Sequence, residues 1–90
     1  MIKLIKIGAE WCGPCRILNP IIEKFKDMGI CKVESFDLDE QPELGEKYSI
    51  KSVPTLVWVS ESSEEVLHQT AGVKTLEWLV QKHKELKEAL

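Results

Sequence analysis

The segment Gly8-Ala9-Glu10-Trp11-Cys12-Gly13-Pro14-Cys15-Arg16 decides the reading of this chain. It joins a short apolar run to a stretch with the repeat of a helix. Two cysteines three residues apart in a first helical turn have Cα atoms on the order of 5 Å apart, inside the roughly 4.4–6.8 Å that a disulfide spans. The loop closed by such a bridge is tiny, so it restricts the unfolded chain little and stabilises little. A bond that forms easily and stabilises little fits reversible use. The two sulfurs are also inequivalent. Cys12 stands at the helix N-terminus, where unpaired N–H groups and the macrodipole favour an anion, so its thiolate is favoured. Cys15 lies one turn in and is expected to be more covered. The implied chemistry is attack by the Cys12 thiolate on a substrate disulfide, then attack by Cys15 on Cys12 to release the reduced substrate. Pro14 lacks a donor where none is needed and stiffens the turn.

Outward from this segment the periodicity changes several times. Ile2–Ile7 is short and β-branched, with Lys3 and Lys6 interposed, and reads as a mostly buried strand. Pro14 to Met28 carries a helical stripe of Ile17, Leu18, Ile21, Ile22, Phe25 and Met28, with a kink expected at Pro20 and a stop at Gly29. Cys31–Leu38 reads as a second strand. Pro42 opens a short helix with Leu44 and Tyr48 inward. Val53–Val59 is a third strand that begins with a proline, and Val66–Thr70 pairs with it as a hairpin across the polar turn Glu61–Glu65. Thr75 caps a last helix with the stripe Leu76, Leu79, Val80, His83, Leu86 and Leu90. The order β-α-β-α-β-β-α predicts an α/β fold with a four-stranded mixed sheet and helices on both faces. Two right-handed crossovers are expected to give parallel pairs, with the hairpin antiparallel. Trp58 reads as core, His68 as hairpin surface, His83 as a boundary residue, and Trp78 as half-exposed.

Length and composition limit what else the chain can be. Its 90 residues suit a single domain spanning 1–90, with one modest core. With 12 basic and 15 acidic residues the net charge is −3, which argues against nucleic acid or an anionic membrane surface as partner. No apolar run approaches the roughly 18–20 residues of a bilayer span, and Lys3 and Lys6 interrupt what could be read as a signal peptide. Three cysteines are too few, and odd in number, for a disulfide scaffold, which points to a reducing, cytoplasmic setting. As a metal half-site, Cys12 and Cys15 lack further ligands, because Cys31, His68 and His83 stand at no ligand-like spacing. No metal and no bound cofactor are expected, and the chain is expected to be a monomer.

The combination of Trp11-Cys12-Gly13-Pro14-Cys15 after a strand, Ala9-Glu10 before it, and Val53-Pro54-Thr55 some forty residues on resembles the thioredoxin family. Gly72 after the hairpin, Pro20, Asp39 before Pro42, and Tyr48 also fall where thioredoxins have similar residues. The resemblance implies a thioredoxin fold and a protein disulfide oxidoreductase, with Cys12 as nucleophile and Cys15 as resolving thiol. It implies that Pro54 follows a cis peptide bond and faces the cysteines. Trp11, Gly13, Pro14, Val53, Pro54 and Gly72 would form the shallow surface that receives a substrate strand, with Val53 offering backbone groups to it. Electrons would come from a reductase of the thioredoxin reductase type and pass to protein disulfides, with the Cys12–Cys15 disulfide as the redox centre.

The chain departs from the family at two places. Lys6 stands where thioredoxins carry a buried Asp, and Ser35 replaces a Lys on the adjacent strand, with Asp37 on the same face. One expectation is a reversed charge pair, Lys6 with Asp37, serving proton transfer; the other is that Lys6 reaches the surface. The sequence also starts at the family's central strand, which gives a glutaredoxin-sized core. That keeps open a glutathione-linked, glutaredoxin-like enzyme, although Ala71-Gly72 lacks that group's usual acidic neighbour. A third possibility is a thioredoxin-fold binding module in which the cysteines are incidental.

Overall fold

Alternation in the first strand sets up both faces of the sheet. In a computed structural model describing residues 1–90, β1 (Ile2–Gly8) turns Ile2 and Leu4 to one face and Ile5 and Ile7 to the other. It is followed by α1 (Gly13–Asp27), β2 (Lys32–Asp37), α2 (Glu43–Lys47), β3 (Thr55–Ser60), β4 (Val66–Ala71) and α3 (Leu76–Glu88). The four strands form one mixed sheet in the order β2-β1-β3-β4. On one face, Leu18, Ile22 and Phe25 of α1 and Leu79 of α3 pack on Ile2, Leu4, Leu56 and Trp58. On the other, Tyr48, at the end of α2, packs on Ile5, Ile7, Val57 and Val59. The fold class read from the sequence is the one observed.

The second crossover differs from expectation. β1 and β2 are parallel, but β3 runs antiparallel to β1. Helix α2 has only five residues, a length of about 7.5 Å. It cannot return the chain along a six-residue strand of roughly 20 Å. The segment between β2 and β3 therefore stays at one end of the sheet, and β3 starts beside the end of β1, with Thr55 opposite Ile7. Strand β3 also begins at Thr55 instead of Val53, and the cis Val53–Pro54 peptide lies in the loop before it.

Several single residues moved relative to the pattern. Leu18 is fully buried, whereas its neighbour Ile17 is 63 % exposed and Met28 is also exposed. The stripe of α1 is thus narrower than its apolar content. Leu90 lies beyond α3 and is exposed. His83 is not a boundary residue: it is buried, edge-on to Phe25, and its Nδ1 has no hydrogen-bond partner. Trp58 is buried as expected, and the half-buried His68 and Trp78 tilt against it with ring centroids 6.2 and 6.1 Å away. Pro20 sits inside α1, which runs on through it.

Leu18→Ala is expected to destabilise the fold by about 2–5 kcal/mol through the cavity it leaves, whereas Ile17→Ala should stay within about 0.5 kcal/mol. Urea midpoints of the two variants measure the contrast. Burial, and secondarily Lys87, holds the His83 imidazole below its ordinary value of 6.5. The unfolded chain therefore takes up the proton first as pH falls, so stability is full above that value and is lost below it until the folded imidazole also protonates. His83→Gln should flatten this acid loss in unfolding curves taken between pH 7.5 and 5. Some loss should persist, because His68 is shifted in the same direction, chiefly by burial.

Candidate active site

Helix α1 begins against the end of β1. Cys12 is its N-cap, with extended backbone angles (φ −86°, ψ 113°). The Cys15 N–H donates to Cys12 Sγ at 3.1 Å, and the Cys12 N–H donates to the Ala9 carbonyl at 3.2 Å. Pro14, inside the first turn, removes a donor that has no intrahelical partner there. Cys12 and Cys15 form a disulfide with a Cα–Cα separation of 5.2 Å. The two are almost equally covered, 3 % and 2 % exposed, so the expected difference in burial is not what separates them. Their surroundings differ instead. Cys12 meets a backbone N–H and lies 3.5 Å from the Val53 carbonyl oxygen. Cys15 faces inward, toward Gly8 and Lys6.

The surrounding loops converge on this turn. Pro54, buried behind its cis bond, accepts the Gly72 N–H on its carbonyl at 2.9 Å. Gly72 has φ +95°, a conformation that L side chains rarely adopt. Gly13, Pro14 and Trp11 are exposed, and Val53 and Gly72 are half-exposed. Trp11 is held in place although it is 68 % exposed: its indole N–H donates to Asp39 Oδ2 at 2.8 Å. The Asp39 N–H in turn donates to Asp37 Oδ1 at 2.7 Å. Arg16 donates to the Glu10 carbonyl at 3.0 Å. Sequence spacing assigns Asp39 no site role, because its partner lies 28 residues earlier and no local pattern encodes the contact.

Lys6 and Asp37 both line a cavity of about 320 Å³ behind Cys15, but they form no ion pair within 4.0 Å. Burial pushes the Lys6 ammonium below its usual pKa, against the opposing pull of Asp37 and Glu23. Lys3, by contrast, is ion-paired to Glu34 at 2.9 Å, which raises its pKa. Gly8 is the last residue of β1. A Cβ there would sit 3.1 Å from Cys15 Sγ, so glycine permits the close approach of strand and helix. No three His, Cys, Asp or Glu side chains converge in a group that could hold a metal ion.

The thioredoxin family model matches residues 1–85. The chain belongs to the thioredoxin family. It is 39 % identical over 82 residues to the thioredoxin of Rickettsia bellii, covering 84 % of this chain and 76 % of that one. It is 36 % identical to the thioredoxin of Bacillus subtilis, covering 91 % of this chain and 82 % of the relative. The solved structure of a mutant thioredoxin from Halobacterium salinarum superposes with a TM-score of 0.86 at 28 % identity, covering 94 % of this chain and 74 % of that one. The protein is a thiol–disulfide oxidoreductase acting on protein disulfides, as the family and the Cys12–Cys15 disulfide establish. Thioredoxins carry out this exchange with their own sulfurs and need no bound cofactor. No helix of this chain is long and apolar enough to cross a membrane.

Gly8→Ala should force the new methyl against Cys15 Sγ and cost about 1–3 kcal/mol in stability, by overpacking. Thermal unfolding of oxidised Gly8→Ala against the unsubstituted protein measures the loss.

Proposed function

We propose that Cys12 is the attacking thiolate and Cys15 the resolving thiol of a protein disulfide reductase. The observation that carries this assignment is the position of Cys12: it caps α1 and receives a backbone N–H on its sulfur. That geometry favours a thiolate at Cys12 once the bridge is reduced. Trp11, Gly13, Pro14, Val53, Pro54 and Gly72 form the docking surface around it. A substrate strand lies along this surface and pairs with the backbone of Val53.

The exchange runs in two steps. The Cys12 thiolate attacks one sulfur of the substrate disulfide. A Cys12–substrate bond forms, and the other substrate sulfur leaves as a thiolate and takes a proton. Cys15, after losing its proton, attacks Cys12 Sγ, and the second substrate sulfur leaves. Two electrons have passed to the substrate, and the protein holds the Cys12–Cys15 disulfide. A reductase of the thioredoxin reductase type returns the pair to the dithiol. The protein works as a single-domain monomer in the reducing cytoplasm, a setting that the small and odd number of cysteines supports.

Insulin reduction followed by turbidity tests the assignment. Cys12→Ser should fall to the dithiothreitol background. Cys15→Ser should still attack and should accumulate a mixed disulfide visible by mass spectrometry. Activity in Cys12→Ser equal to that of the unsubstituted protein would remove the nucleophile assignment. Turnover with NADPH and thioredoxin reductase, compared with NADPH, glutathione and glutathione reductase, identifies the donor; faster turnover in the glutathione arm would replace the donor proposed.

A further inference from the structure

Cys15 is buried at 2 % exposure, and burial alone raises a thiol's pKa and depletes the thiolate that must act as nucleophile. The backbone N–H that reaches a sulfur at the helix start, that of Cys15, goes to Cys12. Lys6 is the one cation lining the cavity behind Cys15. Its Nζ lies 3.7 Å, and Cys15 Sγ 3.1 Å, from one common point, the site of a Cβ on Gly8. The ammonium is half-buried and has no carboxylate within 4.0 Å, so no contact ion pair ties it down. Asp37 and Glu23 pull on the ammonium from beyond that distance, and Asp37 Oδ1 also accepts the Asp39 N–H.

We propose that Lys6 is a positioning residue for the second step, its ammonium stabilising the Cys15 thiolate that attacks Cys12 in the mixed disulfide. The proposal rests on the dithiol cycle above. A cation drawn part-way out of water gains more from a new anion beside it than an exposed one does. The Cys15 proton leaves to solvent water through the cavity. The thiolate's electron pair forms the Cys15–Cys12 bond as the Cys12–substrate bond breaks, and the departing substrate thiolate takes a proton from solvent. The sign matters: a carboxylate at position 6 would raise the pKa of a neighbouring thiol, whereas an ammonium lowers it. The other charged groups around Lys6 are Glu23 of α1, Asp37 of β2, and Glu10 and Glu40 on the cavity wall. Carboxyl groups as a class titrate near pH 4, well below thiols, so they add nothing to a transition above neutrality; Lys6 itself also titrates there, and the neutral variants remove its contribution and leave the thiol's.

The test uses reduced protein carrying Cys31→Ser and one equivalent of an aromatic disulfide whose released thiolate absorbs visible light. Stopped-flow absorbance then shows two releases. The first is attack by Cys12 and serves as the reference; the second is resolution by Cys15. Lys6→Met keeps the apolar stem and drops the charge, Lys6→Arg keeps the charge, and Lys6→Gln is a second neutral variant should Lys6→Met fail to fold. Loss of the charge should raise the midpoint of the second phase's pH profile by about one unit. Below that midpoint the second phase should slow by about threefold, because a tenfold loss of thiolate is partly offset by its greater nucleophilicity. Lys6→Arg should restore both rate and midpoint. Unchanged second-phase rate and midpoint in the neutral variants would overturn the proposal, as would Lys6→Arg behaving like them. Absence of any second phase in the protein with Lys6 intact would strike at the dithiol cycle itself, and the proposal with it.

Discussion

The approach of the first turn of α1 to the end of β1 is the constraint on which the site depends. Gly8 has no side chain, so Cys15 Sγ can come within 3.1 Å of the place a Cβ would take. Cys15 is thereby anchored on the sheet. The Cα–Cα distance to Cys12 follows from the helical turn, and Cys12 is left as the cap. The loops then close on this fixed turn. The Val53 carbonyl reaches Cys12, Pro54 holds Gly72, and Asp39 holds Trp11. Each is a single contact that would place nothing if the helix start were free to move.

Stability and chemistry draw on different parts of the molecule. The two large apolar clusters lie on opposite faces of the sheet, and neither includes a cysteine of the pair. Ala9, Cys12 and Cys15 form a separate small cluster at the sheet's end, with Val53 against it. A bridge between residues so close in sequence constrains the unfolded chain little. Opening it therefore leaves the two cores standing, which is what a protein that cycles between disulfide and dithiol requires.

The sequence was most legible where the signal is local or periodic. The i,i+3 cysteines, the capping position, the stripe of Leu18, Ile22 and Phe25, and the alternation in β1 all follow from spacing. The direction of β3 was misread because the pattern shows that a helix lies between two strands but not that five residues are too few to cross the sheet. His83 was misplaced because a histidine on a helical stripe fits either the edge or the interior, and only the packing of Phe25 beside it settles which. Asp39 and the cavity beside Lys6 are not legible in spacing because each depends on atoms brought together from distant parts of the chain, and Gly8 because its role depends on how closely a helix start packs on the strand before it.

The same reasoning explains how one chain keeps three sulfurs apart in function. Cys12 lies at a helix start, and there the backbone favours an anion. Cys31 lies just before a strand, half-buried, and burial pushes its thiol up to about 11, with a backbone hydrogen bond to Leu4 opposing only in part. At neutral pH Cys31 is therefore protonated, and a thiol does not attack a disulfide. It also sits at the starting end of the parallel strands β1 and β2, whereas Cys12 and Cys15 follow the finishing end of β1. Distance and protonation act together, so exchange among the protein's own sulfurs is confined to one pair. Fidelity of the cycle thus needs no extra structure: it follows from which end of an element each cysteine occupies.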